Sequence, residues 1–572
     1  MSDKMVEYLE FKDAKCKDCY KCLRECPVKA IEVINHQAKI IKDRCILCGK
    51  CTVVCPQNAK IVHSELNRVY ELLKGNDKVI ASVAPSFISN FDVEDFTAFK
   101  IGLRKLGFYD AEETAVGAQV VVREYKRLMD SGRFRNLITS ACPAACRMIQ
   151  TYYPKALKYL APVDSPMLAH AKMIRERVPD AGIVFIGPCI AKKREAKDSG
   201  LIDGVLTFED LDEMFKEENV VLSEISNLLP EDGQGKFANL SKTFPVSQGI
   251  IKSFEGEPAQ NFVYMAVDGA QRCVEALENI ESLSNVFLEL NTCHGSCING
   301  PCNLSREGGI IKATTEVQAY VKKEIKKRPL QENPPTPSIS LFQNYPRIRD
   351  TSKAASESEI RAILAKSGKL KPEDELNCGT CGYSTCRDKA RAVFNGYAEI
   401  EICLPYMRER AESMSYEIIH NSPNGVIVLD DSIRIVEINA KAREVLGIPL
   451  DGSLKGMPAM DYFDASDYVI AYNTGRNTEK GKVYIPKTQS YINLSINVLK
   501  NQHIVFAIVK DITSQVNYED KLTSVKLETL ETTDNVIKKQ MRVAQEIASL
   551  LGETTAETKV ALLKLKEIFQ KE

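Results

Sequence analysis

Eight cysteines near the start of the chain constrain its fold more than any other feature. Cys16-x2-Cys19-x2-Cys22-x3-Cys26-Pro27 is repeated as Cys45-x2-Cys48-x2-Cys51-x3-Cys55-Pro56. That doubled spacing is the one in which thiolates hold two 4Fe-4S cubes. Zinc also suits thiolate pairs, but the eight-cysteine repeat weighs against it. Between the runs, Ala30–Ile34 and Ala38–Ile41 flank Asn35-His36-Gln37 and predict a small hairpin. Two close cubes would make an electron wire. The chain has 19 cysteines in 572 residues and no apolar segment behind Met1-Ser2-Asp3-Lys4. In a reducing compartment so many thiols argue for metal ligation rather than disulfides, and a cytoplasmic protein is expected. No run approaches the ~20 apolar residues needed to span a bilayer. The formal net charge of −1, with both signs interspersed, points to neither nucleic acid nor membrane as partner. Length alone suggests about three to five domains.

The amino-terminal runs resemble bacterial two-cluster ferredoxins. By that resemblance the fourth cysteine of each run crosses over, so that one cluster sits on Cys16, Cys19, Cys22 and Cys55 and the other on Cys45, Cys48, Cys51 and Cys26. Residues 1–70 are assigned to this domain.

Three later stretches put cysteines after short apolar runs that read as buried parallel strands. They are Thr139-Ser140-Ala141-Cys142-Pro143, Gly187-Pro188-Cys189-Ile190-Ala191-Lys192-Lys193, and Glu289-Leu290-Asn291-Thr292-Cys293-His294-Gly295-Ser296-Cys297. In open α/β sheets ligands sit beyond the carboxyl ends of the strands, so these cysteines are expected to converge on one soft-metal site. The stretches resemble the active-site signatures of iron-only (FeFe) hydrogenases. The resemblance implies that Cys142, Cys189, Cys293 and Cys297 hold the H-cluster, a 4Fe-4S cube joined through Cys297 to a two-iron centre with CO, CN and a bridging dithiolate. It implies further that Ala84-Pro85-Ser86 lies beside the cyanides, that Lys192 donates to a cyanide and that Glu195 belongs to the proton route. Ser165-Pro166 matches another loop of the family. The chain departs from the family's usual forms at Ala141, where a cysteine is usual, and at Met167, Gly187 and Asn291. Cys146, Cys273 and Cys302 carry no family role and read as structural, with a place near the cluster as the alternative for Cys146 and Cys302. Residues 75–330 are assigned to this α/β domain, with helices expected near 95–107 and 118–130.

Pro334, Pro335 and Pro337 mark a linker at 331–350. A helix then begins at Ser356-x-x-Glu359, a capping-box pattern. In the small domain 351–412, Cys378, Cys381, Cys386 and Cys403 have a C-x2-C-x4-C-x16-C-x-P spacing that resembles a 4Fe-4S module of redox regulators, with zinc as the alternative. Residues 413–515 resemble a PAS domain: a hairpin of Gly425–Asp430 and Ile433–Ile438, Asn439-Ala440 opening a helix, strands Tyr491–Val498 and Ile504–Val509, and a closing Asp511-Ile512-Thr513. His420 and His503 read as solvated or core residues rather than haem ligands. In the tail, 516–572, Ile537, Met541, Ala544, Ala548 and Leu551 recur in a 4-3-4-3 pattern that predicts a coiled-coil seam, broken at Gly552 and resumed by Val560, Leu563 and Ile568. An amphipathic helix packed on its own PAS domain is the alternative.

The expected architecture is a multidomain α/β and α+β protein. The resemblance implies a sensory hydrogenase that reacts slowly and reversibly with dihydrogen, because a methyl group at Ala141 cannot relay protons. Electrons and protons would leave separately, to an electron-transfer partner such as ferredoxin and to solvent. The PAS domain and tail would report to a signalling kinase or phosphatase, as a homodimer, and maturation enzymes would install the two-iron unit. The alternatives are a metabolic ferredoxin-type hydrogenase and a hydrogenase-like iron-sulfur protein lacking the two-iron subsite.

Overall fold

The computed structural model describes residues 8–11, 15–226, 238–254, 261–304, 308–330, 338–551 and 556–571, without the side chains of 548–551, 556–558 and 569–571. Met1–Lys4, Pro334, Pro335, Pro337, Gly552 and the side chains of Ala548 and Leu551 lie outside the described residues. The chain divides into two compact units, residues 1–406 and 407–572.

In the first unit, strand Leu9–Phe11 pairs antiparallel with Lys60–Val62, and Ile31–Ile34 with Gln37–Ile40. The hairpin turns on Asn35 and His36, both at positive φ, which suits a two-residue loop. The two cysteine runs are pseudo-equivalent in shape. Each has a short helix, Lys21–Glu25 or Lys50–Val53, and a left-handed residue three after its last cysteine, Lys29 or Asn58.

Beyond helix Leu66–Gly75, strands and helices alternate, as βα patterning requires. The strands form two parallel sheets rather than one. Val79–Val83 is flanked by Asp110–Glu113 and Gly182–Ile186, with Gly204–Leu206 at the edge. The second sheet has Val286–Asn291 between Val263–Asp268 and Leu137–Ile138. The central strands Val79–Val83, Gly182–Ile186 and Val286–Asn291 are buried along their whole length. Helix Phe96–Lys105 is capped by Asp95 accepting from Thr97 N, and helix Ala115–Asp130 packs on Pro166–Arg177.

The described part of the expected linker is strapped down. Asp164 N donates to Leu341 O, Gln343 N to Pro162 O and Ile348 N to Gln150 O. The helix Glu357–Lys366 has its capping box, with Ser356 Oγ accepting from Glu359 N and Glu359 accepting from Ser356 N.

The second unit is built on a five-stranded antiparallel sheet in the order Ile435–Ile438, Gly425–Asp430, Ile504–Asp511, Ser490–Leu499, Thr478–Ile485. Asn439 caps helix Ala440–Leu446 and ties it to Ile419 O and Asn424 O. Asp511 Oδ1 accepts from Thr513, whose hydroxyl in turn accepts from Tyr491 N. His503 is exposed, and His420 stacks on Tyr416. The tail is a helix Thr513–Leu551 followed by Ala556–Lys571, which folds back so that Lys566 Nζ meets Asp534 at 2.7 Å. Ile537, Met541 and Ala544 are half-buried, whereas Val560, Leu563 and Ile568 remain exposed.

Candidate metal centre

Cys142 stands where strand Leu137–Ile138 hands over to helix Pro143–Tyr152, whose first residue is a proline with no N–H to leave unsatisfied. Cys189 lies in the turn between strand Gly182–Ile186 and helix Ala191–Ser199. Cys293 and Cys297 follow strand Val286–Asn291, the second inside the single turn Ser296–Asn299. Although the strands belong to two sheets, their carboxyl ends bring the four thiols together. Cys142 Sγ lies 3.6 Å from Thr292 Oγ1, and Cys293 feels Cys189, Cys142 and Cys297 as neighbours. Burial pushes the Cys189 thiol up to about 11, with Cys142 adding, and raises Cys293 and Cys297 as well.

Cys189, Cys293 and Cys297 keep accessible surface although protein surrounds them deeply, so they line an internal space rather than the outer surface. Thiols crowded in this way resist ionisation on their own; a bound iron centre supplies the positive charge that deprotonates them together. Ser86 supplies a second sign of fit. The turn Pro85–Ser89 packs against Ser296–Asn299, and Ser86 Oγ is buried there without a hydrogen-bond partner. Buried hydroxyls are normally bonded, so this one is suited to a polar group carried by a ligand.

Lys192 is buried beside the thiols, donating to Glu195 Oε2 at 2.6 Å, to Ser165 Oγ at 3.0 Å and to Ala141 O at 3.5 Å. Burial pulls its ammonium down, but the Glu195 carboxylate and the Cys189 and Cys297 thiols outweigh it and hold it above the ordinary lysine value. Glu195 opens onto a cleft of about 310 Å³ lined also by Cys146, Arg147, Arg194 and Tyr345. Asn291 donates to Glu289 Oε1 and Ser296 Oγ, and Met167 is packed in the core beside Phe185. Cys146 donates to Ser140 O, Cys273 to Asn291 O, and Cys302 is buried near Cys189.

In the amino-terminal region Cys26, Cys45, Cys48 and Cys51 neighbour one another, and burial raises all four. Cys22 neighbours Cys16, and both Cys22 and Cys55 feel Lys60. Ala30 N donates to Cys26 Sγ and Ala59 N to Cys55 Sγ, the same bond in each half of the repeat. Gly49, at φ +71, brings this loop against the domain that carries the two parallel sheets: a Cβ there would stand 2.5 Å from Pro301 and 2.9 Å from Ile190. The Cys45–Cys51 run thus abuts the Cys142–Cys297 site, and Cys293 feels Cys48.

Cys378, Cys381, Cys386 and Cys403 line one cavity with Lys369 and Lys389. The Thr380 hydroxyl, 3.1 Å away, holds Cys378 below the usual thiol value, and Lys369 donates to Cys403 Sγ at 3.5 Å. Among the described residues no three His, Cys, Asp or Glu side chains approach closely enough to share a single metal ion.

Sequence reasoning did not single out Thr292, the cations Lys369 and Lys389, or Glu289. Glu289 is fully buried, and burial raises it to about 7 even though Ile250 N and Ile251 N donate to it.

Family models match the description "Iron only hydrogenase large subunit, C-terminal domain" over 77–301, a 4Fe-4S dicluster domain over 11–59, an Fe-S cluster family over 374–405 and the PAS fold over 414–502. Iron hydrogenase 1 of Clostridium pasteurianum is 26% identical over 426 residues, covering 60% of this chain and 74% of that protein. The periplasmic [Fe] hydrogenase large subunit of Nitratidesulfovibrio vulgaris is 30% identical over 400 residues, covering 56% of this chain and 92% of that protein. The chain belongs to the iron-only hydrogenase family. It is a hydrogenase-like iron-sulfur protein that carries a PAS domain beyond its hydrogenase and 4Fe-4S domains. None of its described helices is long and apolar enough to cross a membrane.

Proposed function

We propose that the protein is a low-turnover FeFe hydrogenase that senses dihydrogen. Cys142, Cys189, Cys293 and Cys297 would hold the H-cluster, and three further 4Fe-4S clusters would sit on the two crossed ferredoxin sets and on Cys378, Cys381, Cys386 and Cys403. When bound, the H-cluster supplies heterolytic cleavage of dihydrogen, yielding two protons and two electrons. The protein's part is ligation, orientation and proton handling. Lys192 is fixed by three acceptors and presents a permanent positive charge beside the thiols. Ser86 Oγ is placed to donate on the other side. Glu195, salt-bridged to Lys192 and open to the cleft at Cys146 and Tyr345, would pass protons between site and solvent. Electrons leave through the Cys45–Cys51 run that abuts the site at Gly49.

The observation that carries the reading is Lys192, buried among Glu195, Ser165 and Ala141 O at the Cys142 end of the site. A donor fixed at that point suits the anionic ligands that a cluster with its two-iron unit would bring to the Cys142 end of the site. The slow rate rests on Ala141, which places a methyl group where the family's usual form has a thiol. The Fe-S module on Cys378–Cys403, whose last cysteine directly precedes helix Leu404–His420, and the PAS domain support a reporting role toward a kinase or phosphatase, with the exposed apolar tail as a dimer or partner surface. Ferredoxin is the proposed electron partner. Infrared spectroscopy of protein produced with hydrogenase maturation enzymes tests the reading: metal-bound CO and CN bands, with slow hydrogen–deuterium exchange under dihydrogen, are expected. Their absence despite full iron loading would leave an iron-sulfur protein without the two-iron subsite.

A further inference from the structure

The module carrying Cys378–Cys403 is docked onto the dicluster region. Val33 N donates to Tyr397 O at 3.1 Å, and Val33 bridges Ala398 in parallel, so segment 397–398 extends the edge of the 31–40 hairpin. Asn35 N donates to Glu399 Oε1 at 3.0 Å. Behind this seam Leu23, Ile31 and Val33 form one buried cluster with Tyr383, Ala398 and Ile402, and the cluster includes both Cys22 and Cys381. The Arg44 guanidinium lies over the rings of Tyr152 and Tyr397 and pairs with Asp350, pinning the face from a third side.

The contact is closest at Gly382. It sits at φ +91, and a Cβ there would stand 3.0 Å from Leu23 Cγ and 3.2 Å from Arg24 N. Only glycine combines that conformation with that approach. Leu23 is one peptide from Cys22, and Gly382 is one peptide from Cys381. The ligands of two cluster sites are therefore separated by two short covalent stretches and one van der Waals contact. Helix Lys21–Glu25, which carries Leu23, also ends at Cys26, a ligand of the other ferredoxin set. Lys29 feels both Cys26 and Cys381. Much of the seam is apolar and buried, which lowers the reorganisation that an electron transfer must overcome.

Resting on the cluster assignments above, we propose that this face is an electron junction, across which the dicluster region and the Cys378–Cys403 cluster exchange single electrons through the Leu23–Gly382 contact. One cube loses one electron and the other gains it; no bond is made or broken and no proton moves. The reporting module would then be a branch of the same wire rather than a separately poised sensor.

The test uses the full chain with its 4Fe-4S clusters reconstituted, reduced stepwise with dithionite and followed by electron paramagnetic resonance. Because dithionite supplies the electrons, the outcome does not depend on any reaction with dihydrogen. Splitting or broadening between the Cys378–Cys403 signal and the dicluster signals is expected. It should vanish in Cys403→Ser and weaken in Gly382→Val at unchanged iron content. Should Gly382→Val lose iron, Glu399→Ala, which removes only the bond to Asn35 N, is expected to reduce the splitting. Photoreduction should fill the third cluster at a rate independent of protein concentration. Uncoupled signals in the fully loaded wild type would overturn the proposal, as would filling that is purely bimolecular or splitting unchanged in both docking variants.

Discussion

The chain has two four-cysteine sites outside its dicluster region, and they are built in opposite ways. Cys142, Cys189 and Cys293–Cys297 come from three separated stretches at the ends of two buried sheets, and burial with mutual repulsion raises the thiols it affects. Cys378–Cys403 come from one short segment, with Cys378 exposed and held low by the Thr380 hydroxyl, and with Lys369 and Lys389 close by. The first site is made by the fold, so its ligands are also structural joints. The second is made by one continuous segment, 378–403, that includes helix Cys386–Phe394. A fold-built site gains shielding and fixed second partners such as Lys192 and Ser86, whereas a segment-built site gains independence.

The largest expected effect breaks that symmetry directly. Cys297→Ser should abolish dihydrogen turnover and the CO and CN bands, while Cys403→Ser should remove only one cube and leave dihydrogen oxidation with an artificial acceptor intact. Iron analysis with infrared spectra checks both. Activity lost in Cys403→Ser with intact bands would mean that the segment-built site lies on the obligatory electron path.

Ala141→Cys should come next. A positioned acid–base group contributes about 10²- to 10⁴-fold, and restoring a thiol beside Cys142 should raise turnover toward the lower end of that range. Gly187, Met167 and Asn291 also depart from the family pattern and limit the gain. Turnover at equal H-cluster loading is the measurement; an unchanged rate would show that the missing thiol is not limiting.

Deleting 520–572 should leave both sites loaded while weakening self-association or partner binding, because the tail exposes Val525, Leu527, Val560, Leu563 and Ile568. Sedimentation and cluster content read the two effects separately. An unchanged profile with unchanged partner binding would assign the tail to the second unit alone.

These contrasts also explain what the sequence could reveal. The segment-built set Cys378, Cys381, Cys386 and Cys403 was legible as a cysteine spacing, and these four side chains line one cavity. The convergence of Cys142, Cys189, Cys293 and Cys297 was legible through their strand-end context, Ser356 through its capping-box pattern, and Asn439 and Asp511 through resemblance to the PAS pattern. The split into two sheets was not, because a buried strand reads the same in either. Strand Thr478–Ile485 was missed because it is an edge strand, mostly exposed and charged, without apolar alternation. The strapping of 338–350 uses backbone groups, which leave no residue signature. Lys242, salt-bridged to buried Glu113 and Glu324 and bonded to Tyr320, was equally invisible: its partners are remote in the chain, Tyr320 and Glu113 being 207 positions apart.

The smallest expected effect concerns Glu289, a buried carboxyl behind the fold-built site with no counterpart in the segment-built one. Burial raises its folded pKa to about 7 from an ordinary value of 4.5. The folded state therefore binds this proton more tightly than the unfolded chain does. Its contribution to stability is fully present below the unfolded value and is lost as pH rises from about 4.5 through 7. Glu289→Gln keeps the shape and most hydrogen bonds while removing the titration. The variant should show a flatter dependence of unfolding midpoint on pH between 5 and 7, measured on the cluster-loaded chain, with cluster content unchanged. Wild type and variant falling in parallel across that window would mean that Glu289 is already ionised in the folded protein, held by Ile250 N and Ile251 N, and that burial is not the dominant influence on it.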